Sequence, residues 1–348
     1  MRRSAWWVNN RWWIARIAVL PLHLLVFAVV TFFLIRAIPG DPVLTVSDGD
    51  ITPEQYAQVR ASLGLDGSIF EQLARHIGNV LTLNLGDSLV SGRSLWEEFA
   101  YRMPFTLELV AIAIVSALLF SLAASWVIVF RPRNVIGRVL EGYARTAGAV
   151  PEFVWAVAAI FVFYATLRWA PAPLGRVDSD LSLPVPATGF PMLDAILRGQ
   201  GDVAWSIAQH LVLPVIVLTI AQSAIVIKIL IASLRDSIAA PPTLFRVASG
   251  AGRGTVILSA YRRAAPPAVT VIGLVVGNLI GGAVVIEGVF GIGGMGQYAV
   301  DAINANDVVA IQGFLIVVSV FTIGVFFVVD IVNMLLDERR RPGAGVAP

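Results

Sequence analysis

Long apolar runs, separated by shorter polar segments, dominate the pattern of this chain. Six of the runs are long enough to cross a bilayer, because a hydrocarbon core of about 30 Å needs about 20 helical residues. A helix also pairs its own backbone polar groups inside lipid. The pattern therefore predicts an all-α, polytopic membrane protein with six transmembrane helices. The predicted spans are Trp12–Ile38, Thr106–Phe130, Ala144–Leu167, Ile207–Ser233, Val269–Phe290 and Ile311–Leu336.

The charged residues between these runs alternate in sign along the chain. Arginines cluster at both termini and in the segments 131–138 and 235–263, whereas the other three loops are richer in Asp and Glu. Cytoplasmic loops of membrane proteins carry the excess of Lys and Arg. The charge pattern therefore predicts that both termini are cytoplasmic, that the acidic loops face outward, and that the protein resides in the cell membrane.

The outer segments are unequal in length and pattern. Pro39–Met103 is the longest. Within it, Pro53 follows Thr52, a potential N-cap, which is typical of the start of a helix. Ile69–Leu83 has apolar residues at helical spacing. We expect a small helical cap here, whereas the Pro- and Gly-rich segment Trp169–Trp205 predicts irregular structure. The sequence thus divides into residues 1–103, the first span with this cap, and residues 104–348, a core of five spans.

Composition excludes several classes of function. The chain is 57% hydrophobic and 14% charged, with no cysteine, so thiolate metal sites and disulfides are excluded. The lone lysine, Lys228, lies within an apolar run, so no phosphate-binding GxxxxGK[ST] loop is present. Gly291–Gly296 matches GxGxxG but follows a membrane span rather than a strand. We expect no enzyme activity, metal or cofactor on this chain, and no nucleic-acid partner.

Two features have both a structural and a functional interpretation. Small residues recur every four positions in the fifth span, which permits close approach of another helix; the set is Gly273, Gly277 and Gly281, with Asn278 and Gly282 beside them. The inner segment 235–263 exceeds the usual length of a helix connection. It is either a topological determinant or a docking surface for a soluble partner.

Glu287 and Asp330 lie within predicted spans, where ionisable groups are costly. Glu287 is near the outer end of its span and could reach the headgroups or the mouth of a pathway; its structural and functional interpretations have equal weight. For Asp330 a structural role, pairing with an arginine, is the favoured interpretation.

The order of several motifs resembles the permease subunits of ABC importers of the dipeptide, oligopeptide and nickel branch, over nearly the whole chain. The fifth span and the segment after it carry the best match. The motifs are Ile38–Pro42, Leu63–Asp66, Asn84–Ser88, Pro104–Leu109, His210–Pro214, Gly281–Phe290, Gly294–Gly296, Asp301–Ile303, Asp307 and Gln312–Gly313.

The resemblance implies the fold of type I ABC importer permeases and gives particular residues roles. It implies that a coupling loop at 236–263 contacts an ATPase, through Arg246, Ser249, Gly250, Gly252, Arg253 and Pro267. It implies contact with a binding protein at Pro39, Gly40, Asp41 and Pro42. The translocation pathway and its helix packing are expected at Gly273, Gly277, Asn278, Gly281, Gly282 and Glu287.

The resemblance also implies the partners and the cofactors. They are a second, similar permease, two cytoplasmic ATP-binding subunits that hold ATP and Mg²⁺, an extracytoplasmic substrate-binding protein and the lipid bilayer. Peptides or a related small solute would be the cargo. A secondary transporter driven by an ion gradient is the alternative, and it would need carboxylates around a central site. An intramembrane hydrolase lacks any paired nucleophile and base.

Overall fold

A computed structural model describes residues 21–34, 36–37, 43, 52–62 and 65–336. These residues are mostly helical and contain no β-strand, only an isolated bridge between Asp87 and Ser94. The helices are α1 Pro21–Leu34, α2 Pro53–Ser62, α3 Ile69–Leu81, α4 Leu95–Phe130, α5 Val135–Thr146, α6 Glu152–Ala159, α7 Pro191–Leu197, α8 Gly201–Ala239, α9 Pro241–Ala248, α10 Arg253–Phe290, α11 Met295–Asn304 and α12 Val308–Leu336.

Four described helices, α4, α8, α10 and α12, are long and apolar enough to cross a membrane. They contain the predicted second, fourth, fifth and sixth spans, so the all-α membrane architecture is confirmed. Each helix also runs past the apolar stretch that predicted it; α8, for example, covers Gly201–Ala239 rather than Ile207–Ser233. The apolar stretch ends where polar side chains begin, but the backbone hydrogen bonds of the helix continue through the polar residues.

The predicted third span, Ala144–Leu167, is not one continuous helix. The segments Val135–Ala149 and Glu152–Thr166 meet at a bend of 112°. The break occurs at Pro151, which precedes α6 and has no N–H to donate. The helix after the break changes to π geometry over Ile160–Thr166. The expectation of an uninterrupted helix here was wrong, because one proline within the apolar run outweighs its hydropathy.

The first predicted span is described only in part. Its α1 residues Pro21–Leu34 form a shorter apolar helix with many exposed apolar side chains, such as Val26 and Val30. The rest of Trp12–Ile38, apart from Arg36 and Ala37, lies outside the described residues, as do both chain termini. The total of six spans and the cytoplasmic position of the termini therefore stay predictions.

The inner segment 236–263 is not a long loop. Helix α8 continues to Ala239, α9 occupies Pro241–Ala248, and α10 begins at Arg253. Only Ala240 and the four residues 249–252 are non-helical. The expected long connection is thus a short helix between two much longer ones, which holds it in a defined position.

The outer segment forms the helices that its pattern predicts. In α2, the Gln55 N–H donates to Thr52 Oγ1 at 3.3 Å and the Thr52 N–H to Gln55 Oε1 at 2.9 Å, which is a capping box. Ser68 and Glu71 form the same arrangement at the start of α3. Both helices of the predicted cap are confirmed.

Contacts divide the chain into two compact units. The first contains the described residues of Met1–Pro104 together with Gly293–Gly324. Its core includes Leu85, Leu95, Phe99, Met295, Ala302, Ala310 and Ile311. The second unit contains Phe105–Ile292 and the described residues from Val325 onward. Its main core includes Leu109, Ile207, Leu218, Val226, Leu279, Ile286 and Phe290.

Helix α8 is central to the second unit. It packs against α10 and also against α5, α6 and α7. Its buried residues extend from Val203 to Ser237 and occur on more than one side of the helix. A helix surrounded in this way is apolar around most of its circumference, as the uniformly apolar sequence of α8 predicts.

The second outer segment is not wholly irregular, because a buried carboxylate organises it before α7. Asp194 accepts hydrogen bonds from the backbone N–H groups of Ala187, Thr188 and Gly189 at 2.8–3.1 Å, and from Thr188 Oγ1 at 2.7 Å. Burial opposes ionisation of Asp194, but these hydrogen bonds outweigh burial and hold its pKa below the ordinary value.

We expect Asp194→Asn to loosen this turn at neutral pH. A carboxylate with a lowered folded-state pKa stabilises the fold above its unfolded pKa of about 3.9, and that stabilisation is lost as the pH falls through the folded-state value. Hydrogen-exchange protection of the Ala187 and Gly189 N–H groups should therefore fall in the variant at pH 7. The difference from wild type should shrink below about pH 4.

Asp180→Asn is the matched control, because Asp180 is exposed and has no hydrogen bond to the turn. A loss of protection that is equal in both variants, or independent of pH, would contradict this role for Asp194.

Candidate functional site

The predicted coupling residues surround α9, which turns the chain from α8 into α10. Thr243 is the one buried residue of α9, and its Oγ1 donates to the Ser237 carbonyl at 2.7 Å. The helix ends with Ser249 Oγ donating to the Phe245 carbonyl at 2.8 Å. Gly250 follows with φ of +75°, a backbone conformation that favours glycine. Thr243 thus ties α9 to the end of α8, whereas Ser249 closes the last turn of α9 on the helix's own backbone.

The surface of α9 is unusually apolar for an exposed helix. Leu244, Phe245 and Val247 are 54%, 72% and 57% exposed, and Arg246 is exposed beside them. Exposed apolar side chains that lie close together are a feature of surfaces that contact another protein or a membrane. The structure thus presents Arg246, Ser249 and Gly250 in an exposed position, as a docking surface requires.

Of the other three predicted coupling residues, Gly252 is the N-cap of α10, and Arg253 and Pro267 lie within that helix. Arg253 is its first residue and lines a cavity of about 840 Å³ with Trp126, Arg131 and Arg133. Pro267 is inside the helix, fourteen positions after Arg253, next to Pro266. The predicted coupling residues therefore do not form a single patch. Those in α9 and at its end are exposed, whereas Pro267 lies within the long helix α10.

The predicted binding-protein contact, Pro39, Gly40, Asp41 and Pro42, lies outside the described residues.

The glycines of α10 differ in what they approach. A Cβ at Gly273 would lie 3.2 Å from Val329 Cγ1 and 3.4 Å from the Phe326 ring, whereas one at Gly277 would be 4.0 Å from Phe326. Gly281 has nothing within 4 Å, and Asn278 is exposed. The small residues therefore permit close packing against α12 at Gly273, but leave the face of α10 at Gly281 open.

Glu287 is fully buried. Its Oε1 accepts a hydrogen bond from Thr106 Oγ1 at 2.5 Å, and the nearby Arg176 guanidinium stacks 3.1 Å from the Phe105 ring centroid. The side chain is enclosed by the protein. The structural interpretation of Glu287, as a link between α10 and α4, is the one that this geometry supports.

The segment Asn84–Ser88, part of the motif order described above, packs on Asp307 within the first unit. Asp307 is 2% exposed and accepts hydrogen bonds from Ser88 Oγ at 2.5 Å and from the Ala310 N–H at 3.0 Å. Gly86, at φ +79°, would bring a Cβ within 3.2 Å of Val309. These motifs, far apart in sequence, thus form one structural site.

Sequence reasoning missed Glu152 and Gln222. Glu152 begins α6 directly after the break at Pro151, and Gln222 Nε2 donates to its Oε1 at 2.6 Å. Gly282 lies against the same carboxylate, so that a Cβ there would overlap it. An acidic residue next to a proline inside a predicted span was the available signal. Its partners come from α8 and α10 and could not be read from the local sequence.

Within the described part of the chain, no three His, Asp or Glu side chains are placed to hold a metal ion. The polar groups of these sites are instead suited to hydrogen bonding and ion pairing.

Two sequence families match most of the chain. Residues 117–342 match the family described as binding-protein-dependent transport system inner membrane component. Residues 10–110 match the N-terminal family of the same membrane components. The two matches follow each other with a gap of six residues, 111–116, inside α4.

Curated relatives align over nearly their full length. The di/tripeptide transport system permease protein DppB of Pseudomonas aeruginosa is 32% identical over 89% of this chain and 93% of its own. The probable D,D-dipeptide transport system permease protein DdpB of Escherichia coli is 33% identical over 91% and 93%. The dipeptide transport system permease protein DppB of Escherichia coli is 31% identical over 89% and 93%.

We expect Gly273→Leu to lower the free energy of unfolding of the solubilised chain by about 1–3 kcal/mol, because the added side chain must displace Phe326 and Val329. Unfolding by SDS titration in mixed micelles measures this change. Gly281→Leu is the matched control, since its side chain would enter open space. Equal losses in the two variants would show that the close approach at Gly273 does not stabilise the fold.

Proposed function

The chain belongs to the family of binding-protein-dependent transport system inner membrane components, and on this premise we propose that it imports peptides as one half of an ATP-driven permease. It is a multi-pass protein of the cell membrane and a transport subunit. The proposal covers the cargo, di- or oligopeptides, and the partners. The observation that carries it is the alignment of 89–91% of this chain with permeases named for dipeptide or tripeptide transport.

In the proposed assembly, ATP and Mg²⁺ are bound by two cytoplasmic subunits rather than by this chain. Helix α9 is the contact that transmits their motion. The exposed Leu244, Phe245 and Val247 provide apolar area for docking, and Arg246 provides a charge. ATP can favour one arrangement of the membrane helices only through contacts that differ between the two states. Helix α9 is tied to α8 through Thr243 and is joined to α10 by only four non-helical residues, so that a force on it is passed to both helices.

A second, similar permease would complete the pathway. The face of α10 defined by Leu274, Asn278, Gly281 and Val285 supports this part of the proposal. These residues are spaced as neighbours on a helix surface, and all four are exposed in the single chain. Small and polar residues on an exposed membrane helix are typical of helix–helix contacts or of a water-filled passage.

An extracytoplasmic binding protein would deliver the cargo to the outer segments. Helices α2 and α3 lie in the longest of these segments, and α3 exposes Ile69, Phe70 and Leu81. Residues 39–42 are the other part of this proposed contact. In this arrangement the acidic loops face outward and the arginine-rich α9 region faces the cytoplasm.

We expect Arg246→Glu to uncouple transport from ATP hydrolysis. Reversing a charge within a docking surface costs several kcal/mol when like charges meet, so uptake of a radiolabelled dipeptide should fall about tenfold or more. Uptake is measured in cells that lack the chromosomal copy and express the variant, normalised to the amount of chain in the membrane.

Arg138→Glu serves as the matched control, because Arg138 is an exposed arginine on α5 with the same predicted sidedness. Wild-type uptake by Arg246→Glu at equal membrane level would refute the coupling role of α9. No dipeptide uptake by the wild-type chain would instead refute the proposed cargo.

A further inference from the structure

A carboxylate lies where the third predicted membrane span is broken. Pro151 ends the preceding segment, the chain bends by 112°, and Glu152 is the first residue of α6. Broken helices with polar groups at the break recur where membrane transporters bind their substrates. The π-helical turns over Ile160–Thr166 follow on the same segment, and such turns are frequent at functional sites.

Three helices of the second unit meet at this carboxylate. Glu152 Oε1 accepts a hydrogen bond from Gln222 Nε2 of α8 at 2.6 Å. Gly282 of α10 faces the other carboxylate oxygen, which would overlap any Cβ at that position. The absence of a side chain at Gly282 therefore leaves the space that Glu152 occupies.

The same place holds polar atoms without hydrogen-bond partners. Gln222 is 3% exposed, and its Oε1 is buried with no partner among the described residues. One helical turn away on each helix, Trp155 Nε1 and Thr219 Oγ1 are also buried and unpartnered. Buried polar atoms are nearly always satisfied in proteins, so Gln222 Oε1 points to a ligand group that donates a hydrogen bond, and Trp155 Nε1 to one that accepts it.

The charge of Glu152 is also unbalanced. None of the ion pairs in the described part of the chain involves Glu152, and Gln222 is its sole hydrogen-bond partner there. Glu141 on α5, by contrast, is paired with Arg145 and Arg235. A carboxylate kept inside a membrane bundle without a cation of its own is a functional group by default.

We propose that Glu152, with Gln222, receives the primary ammonium group of the cargo as it crosses the bundle. The ammonium has three N–H donors and no acceptor. The two carboxylate oxygens of Glu152 and the unpartnered Gln222 Oε1 provide three acceptors and one negative charge. Glu152 is only partly buried in the single chain, so a solute can reach it, whereas Gln222 is held by packing.

This inference rests on the proposed peptide cargo, because every peptide with a free N-terminus carries such an ammonium. The orphaned Trp155 N–H is placed to donate to a carbonyl oxygen of the same cargo. A metal ion is not the expected occupant, since the described residues contain no group of three His, Asp or Glu side chains that could hold one.

The test is uptake of a radiolabelled dipeptide by cells expressing the full chain with its natural partners. Glu152→Gln keeps the size and the hydrogen bond but removes the charge. We expect the maximal uptake rate to fall about tenfold, with little change in the half-saturating peptide concentration, because an external binding protein sets that concentration. Glu152→Asp keeps the charge and should retain more of the rate than Glu152→Gln.

Two further variants test the geometry independently. Gln222→Met removes the orphaned acceptor at similar volume, and Gly282→Ala places a methyl group against the carboxylate. Both should lower the maximal rate in the same way. Glu141→Gln is the matched control, because it makes the same chemical change at a carboxylate that two arginines already balance. It should transport at the wild-type rate.

The outcomes separate the inference from the function on which it rests. If the wild-type chain does not restore dipeptide uptake, the proposed cargo is wrong, and the ammonium site fails with it. If wild type transports and Glu152→Gln matches it at equal membrane level, Glu152 is a neutral hydrogen-bonding group and the inference is overturned. If Glu152→Gln does not reach the membrane, Gln222→Met and Gly282→Ala decide the test. Wild-type uptake rates in both of these variants would overturn the inference.

Discussion

The packing of α8 against α10 is the contact on which the second unit depends. Lipid tails are as apolar as the side chains of these helices, so burial alone does not drive them together; close packing and hydrogen bonds between helices do. Helices α5, α6 and α7 then pack on α8, which places the break at Pro151 and the start of α6 beside the α8–α10 contact. The positions of all polar groups in this unit follow from that arrangement.

The buried polar groups of the second unit fall into two kinds. Most link helices and are satisfied within the fold: Thr106 donates to Glu287, and Tyr143 shares a hydrogen bond of 2.7 Å with Ser223. Glu152 is different, because its charge has no partner in the described part of the chain and its neighbour Gln222 has an orphaned oxygen. Groups of the first kind stabilise the bundle, whereas Glu152 is available to a passing solute.

The helices also continue beyond their apolar stretches, which has a mechanical consequence. Helices α8 and α10 are joined through the short α9, with only five non-helical residues between Ala239 and Arg253. A force applied at α9 thus acts on two long, rigid helices rather than on a flexible loop. One of these helices carries Gln222 and the other Gly282, so the same two helices join the proposed docking surface to the proposed ammonium site.

The sequence by itself determined the four long apolar helices, the two helices of the first outer segment, and the family. Hydropathy, capping residues and motif order are local properties, and they correctly predicted α3 from Ile69 onward and the four long helices. These patterns were wrong at Pro151, where one proline outweighed the average hydropathy of the segment. They were also wrong near Ala239, where polar residues continued a helix beyond its apolar stretch. Only the tertiary structure brought Glu152, Gln222 and Gly282 together, and it alone showed that Glu287 is enclosed. Contacts between distant residues depend on the bend and rotation of each helix, and these are decided by packing rather than by local pattern.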